Sequence, residues 1–355
     1  MAWEDWTRHL WDWPLASLEM WRRALEPGDE ATAGRPPPPW TTPARLTLEL
    51  ASMRLWDFST ARKQRPAVIL SPFALHDAQI ADLAPGHSIV ATLLRHGCRR
   101  LYLIEWKSAT PATRLETIDD LLAALNVAID DLGAPVDLVG LCQGGWLSLL
   151  YAARFPAKVS RIVLAGAPVD VAAEASALSE PVKSTCDDEI RRLIDLGGGC
   201  VKGERMAPLW PREDDCEKRL IDALEIEPPF SAPRAARAAA AFREWDRRTL
   251  DLPGPYFHEV FRHLFRDNLL AKGGFPALGR PVDLAVLRHP LFLLIGEKDA
   301  IAPPAQALAV TRLTQGAAET AQAPCGHLAL FMGRKTIARE WPRVAAWLTK
   351  AEAHP

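Results

Sequence analysis

Three side chains in this 355-residue chain have the types and the order needed for covalent acyl chemistry: Cys142, Asp299 and His327. Cys142 stands in Gly140-Leu141-Cys142-Gln143-Gly144, the G-x-S-x-G spacing of a nucleophile elbow with sulfur in place of oxygen. Gly140 and Gly144 have a physical reason to be there. An elbow turns the chain sharply from a strand into a helix, and a Cβ two residues to either side of the nucleophile would strike neighbouring backbone. The cysteine then opens a helix, where free N–H groups and the helix dipole favour a thiolate. Taken alone, the stretch fits an inert thiol as well as a nucleophile, because free cysteine is among the most buried residue types.

A thiol nucleophile needs a base to take its proton, and the base needs a third group to orient it. Asp299 lies just past the apolar run Leu291-Phe292-Leu293-Leu294-Ile295-Gly296, and the C-terminal ends of parallel strands are where sites form. His327 follows in the loop Pro324-Cys325-Gly326-His327, ahead of the last amphipathic helix. Singly, such an aspartate is most often a helix cap and such a histidine is usually solvated. Together, the order nucleophile, acid, histidine is that of the α/β-hydrolase fold, and it selects Cys142–His327–Asp299 as a catalytic triad. The oxyanion formed in acyl transfer needs backbone donors, expected at Gln143 and, in the loop after the Pro66-Ala67-Val68-Ile69-Leu70 strand, at Phe73. His76, His87 and His96 lack a comparable frame, and His258 and His263 read as structural or solvated.

The elements that must hold these residues alternate. Strands are expected at 66–70, 101–104, 135–141, 162–165 and 291–296, with helices at 87–96, 116–132, 304–313 and 337–348 and an elbow helix running to Phe155. Strands separated by helices of this length make an α/β fold, a mostly parallel sheet with helices on both faces. The rhythm breaks from about Val171 to Arg288, where Gly197-Gly198-Gly199, Pro228-Pro229 and a charged helical composition point to a cap, or lid, inserted over the active edge. The expected organisation is therefore a core of residues 45–170 and 289–355 interrupted by a cap of residues 171–288.

Two further segments precede this core. Residues 1–25 place Trp3, Trp6, Leu10, Trp13 and Leu25 at helical spacing, and seven of the 13 tryptophans fall in the first 56 residues. That density suits either a helix packed on the core or an aromatic face that docks on a partner. Residues 26–44, with Pro36-Pro37-Pro38-Pro39, read as an extended linker.

Composition narrows the class. Hydrophobic residues make up 48% and charged residues 24%, with a net charge of -2. These values are ordinary for a globular protein and supply no basic surface for nucleic acid. No apolar run is long enough for a transmembrane helix, and Met1-Ala2-Trp3-Glu4-Asp5 lacks the features of a signal peptide, so a cytoplasmic location is expected. The six cysteines are dilute and none is in C-x-x-C spacing, so neither a metal site nor a disulfide framework is indicated.

Gly140-Leu141-Cys142-Gln143-Gly144-Gly145 resembles the cysteine lipase box of polyhydroxyalkanoate synthases, particularly their short catalytic subunits. Asp82-Leu83, Ser88-Ile89-Val90, Leu103-Ile104-Glu105-Trp106, Ala167-Pro168-Val169-Asp170, Leu252-Pro253-Gly254-Pro255, Asn268-Leu269, Pro281-Val282-Asp283-Leu284 and Cys325-Gly326-His327 follow in that family's order, from about residue 60 to 332. The resemblance implies that Cys142 takes a hydroxyacyl group from a hydroxyacyl-CoA and passes it to a growing polyester, with no metal or organic cofactor. It further implies work at a polyester granule surface or with a second subunit, which the Trp-rich segment could contact, and allows a homo-oligomer. Two positions depart from the family: Ala300 stands where a histidine is usual, and Trp245-Asp246-Arg247-Arg248 replaces a W-N-x-D segment. They leave open two other outcomes: a cysteine hydrolase of polyester or thioester, and a weakly active granule- or partner-binding subunit.

Overall fold

The computed structural model describes residues 39–207 and 216–350. The Trp-rich segment 1–25 and most of the proline-rich linker lie outside them. The end of that linker is seated on the core: Trp40 packs edge-on against Trp56 and Phe58, and Thr42 binds the Asp82 carboxylate through both its N–H and its hydroxyl.

Eight strands form the central sheet: β1 (Arg45–Glu49), β2 (Met53–Asp57), β3 (Ala67–Leu70), β4 (Leu101–Trp106), β5 (Val136–Leu141), β6 (Val159–Ala165), β7 (Leu291–Gly296) and β8 (Ala318–Ala323). Their order across the sheet is β1-β2-β4-β3-β5-β6-β7-β8. β2 runs antiparallel to both neighbours, and the pairs from β4 to β8 are parallel.

The parallel strands read as continuous apolar runs because both faces are covered. Val68, Leu138, Ile162, Leu164 and Leu293 join one core layer, while Ile69, Val139, Val163, Ala165 and Leu294 join the other. The first layer is closed by helix Ile118–Leu132 and the elbow helix Gln143–Arg154, the second by Ile89–Arg95 and Trp341–Thr349. Helix Ile118–Leu132 begins where sequence logic puts it, at a Thr117–Asp120 capping box.

Between β6 and β7 the chain leaves the sheet for the cap. Its described helices include Asp187–Leu196, Cys216–Leu224 and Pro233–Arg247. Its entry and exit are stapled together: Asn268, in a left-handed conformation, donates from Nδ2 to Asp170 and accepts from the Val171 N–H. Arg312 completes the cluster on Asp170. The stretch after Asn268 does not continue over the active edge. It forms a hairpin, Phe275–Ala277 with Arg280–Val282, that lies on the elbow helix through Phe275 against Trp146 and Arg154 Nε donating to the Ala277 carbonyl.

Candidate active site

Cys142 directly follows β5, and its backbone is strained, with φ 50° and ψ -113°. A non-glycine residue at positive φ is held there only when its surroundings over-determine it. Here they do. The Cys142 N–H bonds the Ala165 carbonyl at the end of β6, and the Gly145 N–H closes back on the Cys142 carbonyl. The glycine frame is needed sterically: a Cβ on Gly140 would come 2.4 Å from the Gly145 Cα, and one on Gly144 would come 2.1 Å from the Leu70 carbonyl oxygen. The cysteine therefore stands at the N-terminus of the elbow helix, 4% exposed.

Asp299 follows β7 and is 3% exposed. One carboxylate oxygen accepts the Ile301 and Ala302 N–H groups at 2.9 and 2.8 Å, which fixes the carboxylate plane. The other oxygen is 2.7 Å from Nδ1 of His327. The two loops are tied by backbone as well, through the Lys298 N–H on the Cys325 carbonyl. Edge-on contact with Phe331 and the close approach of Gly166, at φ +53°, hold the imidazole from the sides.

Cys142 is the ring's second electrostatic neighbour. Burial disfavours a charged imidazole at this depth, but the Asp299 carboxylate and Cys142 outweigh it and raise the His327 pKa to about 10. The structure brings Cys142, His327 and Asp299 together at one edge of the sheet.

Gln143 opens the elbow helix next to Cys142. Phe73 lies in the loop after β3, and among the described residues neither its N–H nor that of Ala74 has a protein acceptor. Phe73 and Gln143 approach one another across the Tyr256 hydroxyl, which lies 2.9 Å from the Phe73 carbonyl and 2.9 Å from the Gln143 side chain. His76, His87 and His289 have backbone carbonyl partners, and His258 and His263 sit in the cap away from the triad contacts.

A cleft of about 110 Å³ opens beside Gln143 and Ala74, walled on its cap side by Val182, Leu252, Phe261 and Phe265. These walls are apolar, as an acyl chain requires. Tyr256 also lines the cleft and is the functional candidate that sequence reasoning missed. Leu252-Pro253-Gly254-Pro255 marks the segment in sequence, but the partners of its phenol, Phe73 and Gln143, lie far away along the chain. Gly166 was missed too, since nothing local marks it as a wall of the histidine pocket.

The two departures from the synthase pattern have structural accounts. The Arg248 guanidinium forms a buried pair with Asp77 at 2.9 Å and reaches Gln79 at 2.7 Å, while Trp245 Nε1 donates to the Asp77 carbonyl. Residues 245–248 therefore clamp the cap onto the loop after β3. Ala300 is exposed and offers its carbonyl to the Ala177 N–H. Of the motifs shared with the synthases, Asp170 and Asn268 act as the staple at the cap's base.

No helix among the described residues is long and apolar enough to cross a membrane. Residues 107–333 match the family model of the alpha/beta hydrolase fold. The chain is 28% identical over 299 residues to the poly(3-hydroxyalkanoate) polymerase subunit PhaC of Synechocystis sp., covering 81% of this chain and 79% of that one. The subunit of the same name from Allochromatium vinosum is 26% identical, with 82% of each chain covered. In three dimensions the monoacylglycerol lipase of Paleococcus ferrophilus superposes with a TM-score of 0.53 at 16% identity, over 83% of this chain and 98% of the lipase, a likeness of fold alone. By elbow, strand order and family match, this chain belongs to the alpha/beta hydrolase fold family.

Proposed function

We propose that this chain is an acyltransferase of the polyhydroxyalkanoate synthase type, with Cys142 as the acyl acceptor. The observation that supports it most is the Asp299–His327–Cys142 line at the strand ends of a chain similar along most of its length to poly(3-hydroxyalkanoate) polymerase subunits. In the first step His327 takes the Cys142 thiol proton and the sulfur attacks the thioester carbonyl of a hydroxyacyl-CoA. The tetrahedral oxyanion is held by the Gln143 N–H and a donor from the Phe73–Ala74 corner. CoA leaves as its thiol, taking the proton from His327, and the acyl group remains on sulfur. In the second step His327 takes a proton from the hydroxyl that ends the growing chain. That oxygen attacks the enzyme thioester, an ester forms, and Cys142 is released with its proton on His327. Thioester exchange is close to isoenergetic, so a cysteine can take the acyl group from CoA reversibly, and transfer to the hydroxyl then trades the thioester for the more stable oxygen ester. The apolar cleft seats the acyl chain, and the cap keeps water from the bound thioester.

The test follows CoA release and its product from 3-hydroxybutyryl-CoA. Accumulating polymer is expected. Free acid in its place would turn the reading into a cysteine thioesterase on the same triad, and no CoA release would remove acyl transfer altogether. Cys142→Ala should lose CoA release by about 10³-fold or more, the scale on which triad nucleophiles act. Wild-type release in that variant would exclude Cys142 as the nucleophile.

A further inference from the structure

We infer that Tyr256 is a positioning residue for acyl transfer, its hydroxyl holding the two chain segments that flank Cys142 in the arrangement that binds the tetrahedral oxyanion. The inference rests on the reading above, in which Gln143 and the Phe73–Ala74 corner supply the donors.

The Tyr256 oxygen lies 2.9 Å from the Phe73 carbonyl and 2.9 Å from the side-chain Oε1 position of Gln143. A phenol has one proton, so both contacts are satisfied when Tyr256 donates to the carbonyl and the Gln143 amide turns its NH2 toward the phenol oxygen. Holding the Phe73 carbonyl fixes the plane of the peptide unit it belongs to. Across a trans peptide the Ala74 N–H then points the opposite way. The second bond fixes the side chain of the residue whose backbone N–H opens the elbow helix. One hydroxyl thereby sets the relative position of two segments that are remote in sequence and meet at the nucleophile.

Tyr256 is itself immobile. It is 2% exposed, its ring stacks on Phe73 at 5.0 Å, and Phe73 in turn stacks on Trp106 at 5.8 Å. Its N–H bonds the Glu116 carbonyl, and the preceding Gly254 lies so close to the Gly199 carbonyl oxygen that a Cβ would come within 2.6 Å. Burial, then the charges at Cys142 and Glu259, raise the phenol pKa, so the proton stays available for donation throughout the working range. The loop that carries Phe73 has other ties to the same part of the cap: the Leu250 N–H on the Leu75 carbonyl, the His76 ring on the Arg248 carbonyl, and Trp245 Nε1 on the Asp77 carbonyl. Those bonds anchor the loop, and Tyr256 sets its last degree of freedom next to sulfur.

The experiment compares two reactions of Cys142 in the full chain. Acylation by p-nitrophenyl butyrate passes through a tetrahedral oxyanion; alkylation by iodoacetamide displaces iodide at carbon and forms none. Tyr256→Phe keeps the stacked ring and removes the hydroxyl. Acylation should slow by about 10- to 100-fold, below the loss seen when a donor itself is removed, while the alkylation rate of Cys142, read by peptide mass, stays within about twofold of wild type. Equal slowing of both reactions, or unchanged acylation, overturns the inference and leaves the triad reading intact. A wild-type chain that is alkylated at Cys142 but never acylated would overturn the parent reading and this inference with it. A Tyr256→Leu variant, which removes stacking as well, separates the ring from the hydroxyl: its acylation loss should exceed that of Tyr256→Phe, and a smaller loss counts against the hydroxyl's role.

Discussion

The catalytic edge and the cap are held together by different means. At the edge, position is set by backbone: parallel register places the ends of β5, β6, β7 and β8 in one row, and Cys142 and Asp299 are fixed by main-chain N–H and carbonyl groups. In the cap, position is set by side chains: Arg248 on Asp77, Trp245 on the Asp77 carbonyl, Asn268 on Asp170, and Arg266 on Asp187. Backbone is common to all residues, so a substitution of Cys142, Asp299 or His327 should change chemistry with little change in architecture. Side-chain ties vanish with the side chain, so a substitution in the cap should cost stability first. Tyr256 joins the two regions in a further way, as a cap residue whose hydroxyl contacts both Phe73 and Gln143.

The largest effect is expected at the edge. Asp299→Asn keeps an oxygen for the Ile301 and Ala302 N–H groups but presents an amide to His327, so acyl transfer should fall by about 10²- to 10⁴-fold, as when the orienting acid of a triad loses its charge. The same variant tests the electrostatics. The His327 pKa is raised above its ordinary 6.5 to about 10, so its charged form stabilises the folded chain fully below pH 6.5 and that contribution is lost as pH rises toward 10. Removing the Asp299 charge should move the midpoint down, which the pH dependence of the His327 ring resonances would record. An Asn variant with wild-type rate and an unmoved midpoint would break the comparison at its stronger end.

Next in size is a loss of stability from the cap. Arg248→Met leaves the Asp77 carboxylate buried without its guanidinium, and burial already pushes the Asp77 pKa up. Breaking one side of such a pair costs about 3–5 kcal/mol. Denaturant unfolding should show that loss, and Asp77→Asn placed in the same chain should recover part of it. Iodoacetamide alkylation of Cys142 in the folded variant should stay within about twofold, a scale on which nucleophile and base are intact. A variant of full stability would mean that the cap is held elsewhere.

Much of the edge was legible because local rules and tertiary position agree there. Gly140, Cys142 and Gly144 announce the turn by themselves, and five of the parallel strands are apolar runs bounded by turn residues. β8 was not legible. Ala318-Glu319-Thr320-Ala321-Gln322-Ala323 is an edge strand with three of its six residues exposed, so its sequence carries no apolar run, though His327 depends on it. β1 and β2 were missed although β2 alternates, with Met53, Leu55 and Asp57 inward, because an inward aspartate disguises the pattern. Asp57 is tolerated there because Arg45 and Arg62 reach its carboxylate. The last helix is shorter than its amphipathic pattern, beginning at Trp341 with Pro342 in its first turn. Tyr256 was illegible for another reason. Its importance lies in two contacts more than a hundred residues away, and no local pattern encodes those.

The smallest effect sharpens what the elbow adds to a buried thiol. Cys325 is 6% exposed, follows a parallel strand as Cys142 does, has a glycine neighbour and lies two residues from His327. It lacks the positive φ and the helix N-terminus. Burial pushes its thiol up to about 11, and the hydrogen bond it accepts from Thr336 only partly offsets that. Cys325→Ala should therefore leave acyl transfer within about twofold and cost about 1 kcal/mol of stability, the ordinary size for a small buried truncation. At pH 8, iodoacetamide followed by peptide mass analysis should modify Cys142 well before Cys325, since only a thiolate reacts and burial alone suppresses it. Comparable labelling of the two would mean that sheet-edge burial near a histidine is enough to activate a cysteine, and that the strained turn at Cys142 serves geometry without contributing to reactivity.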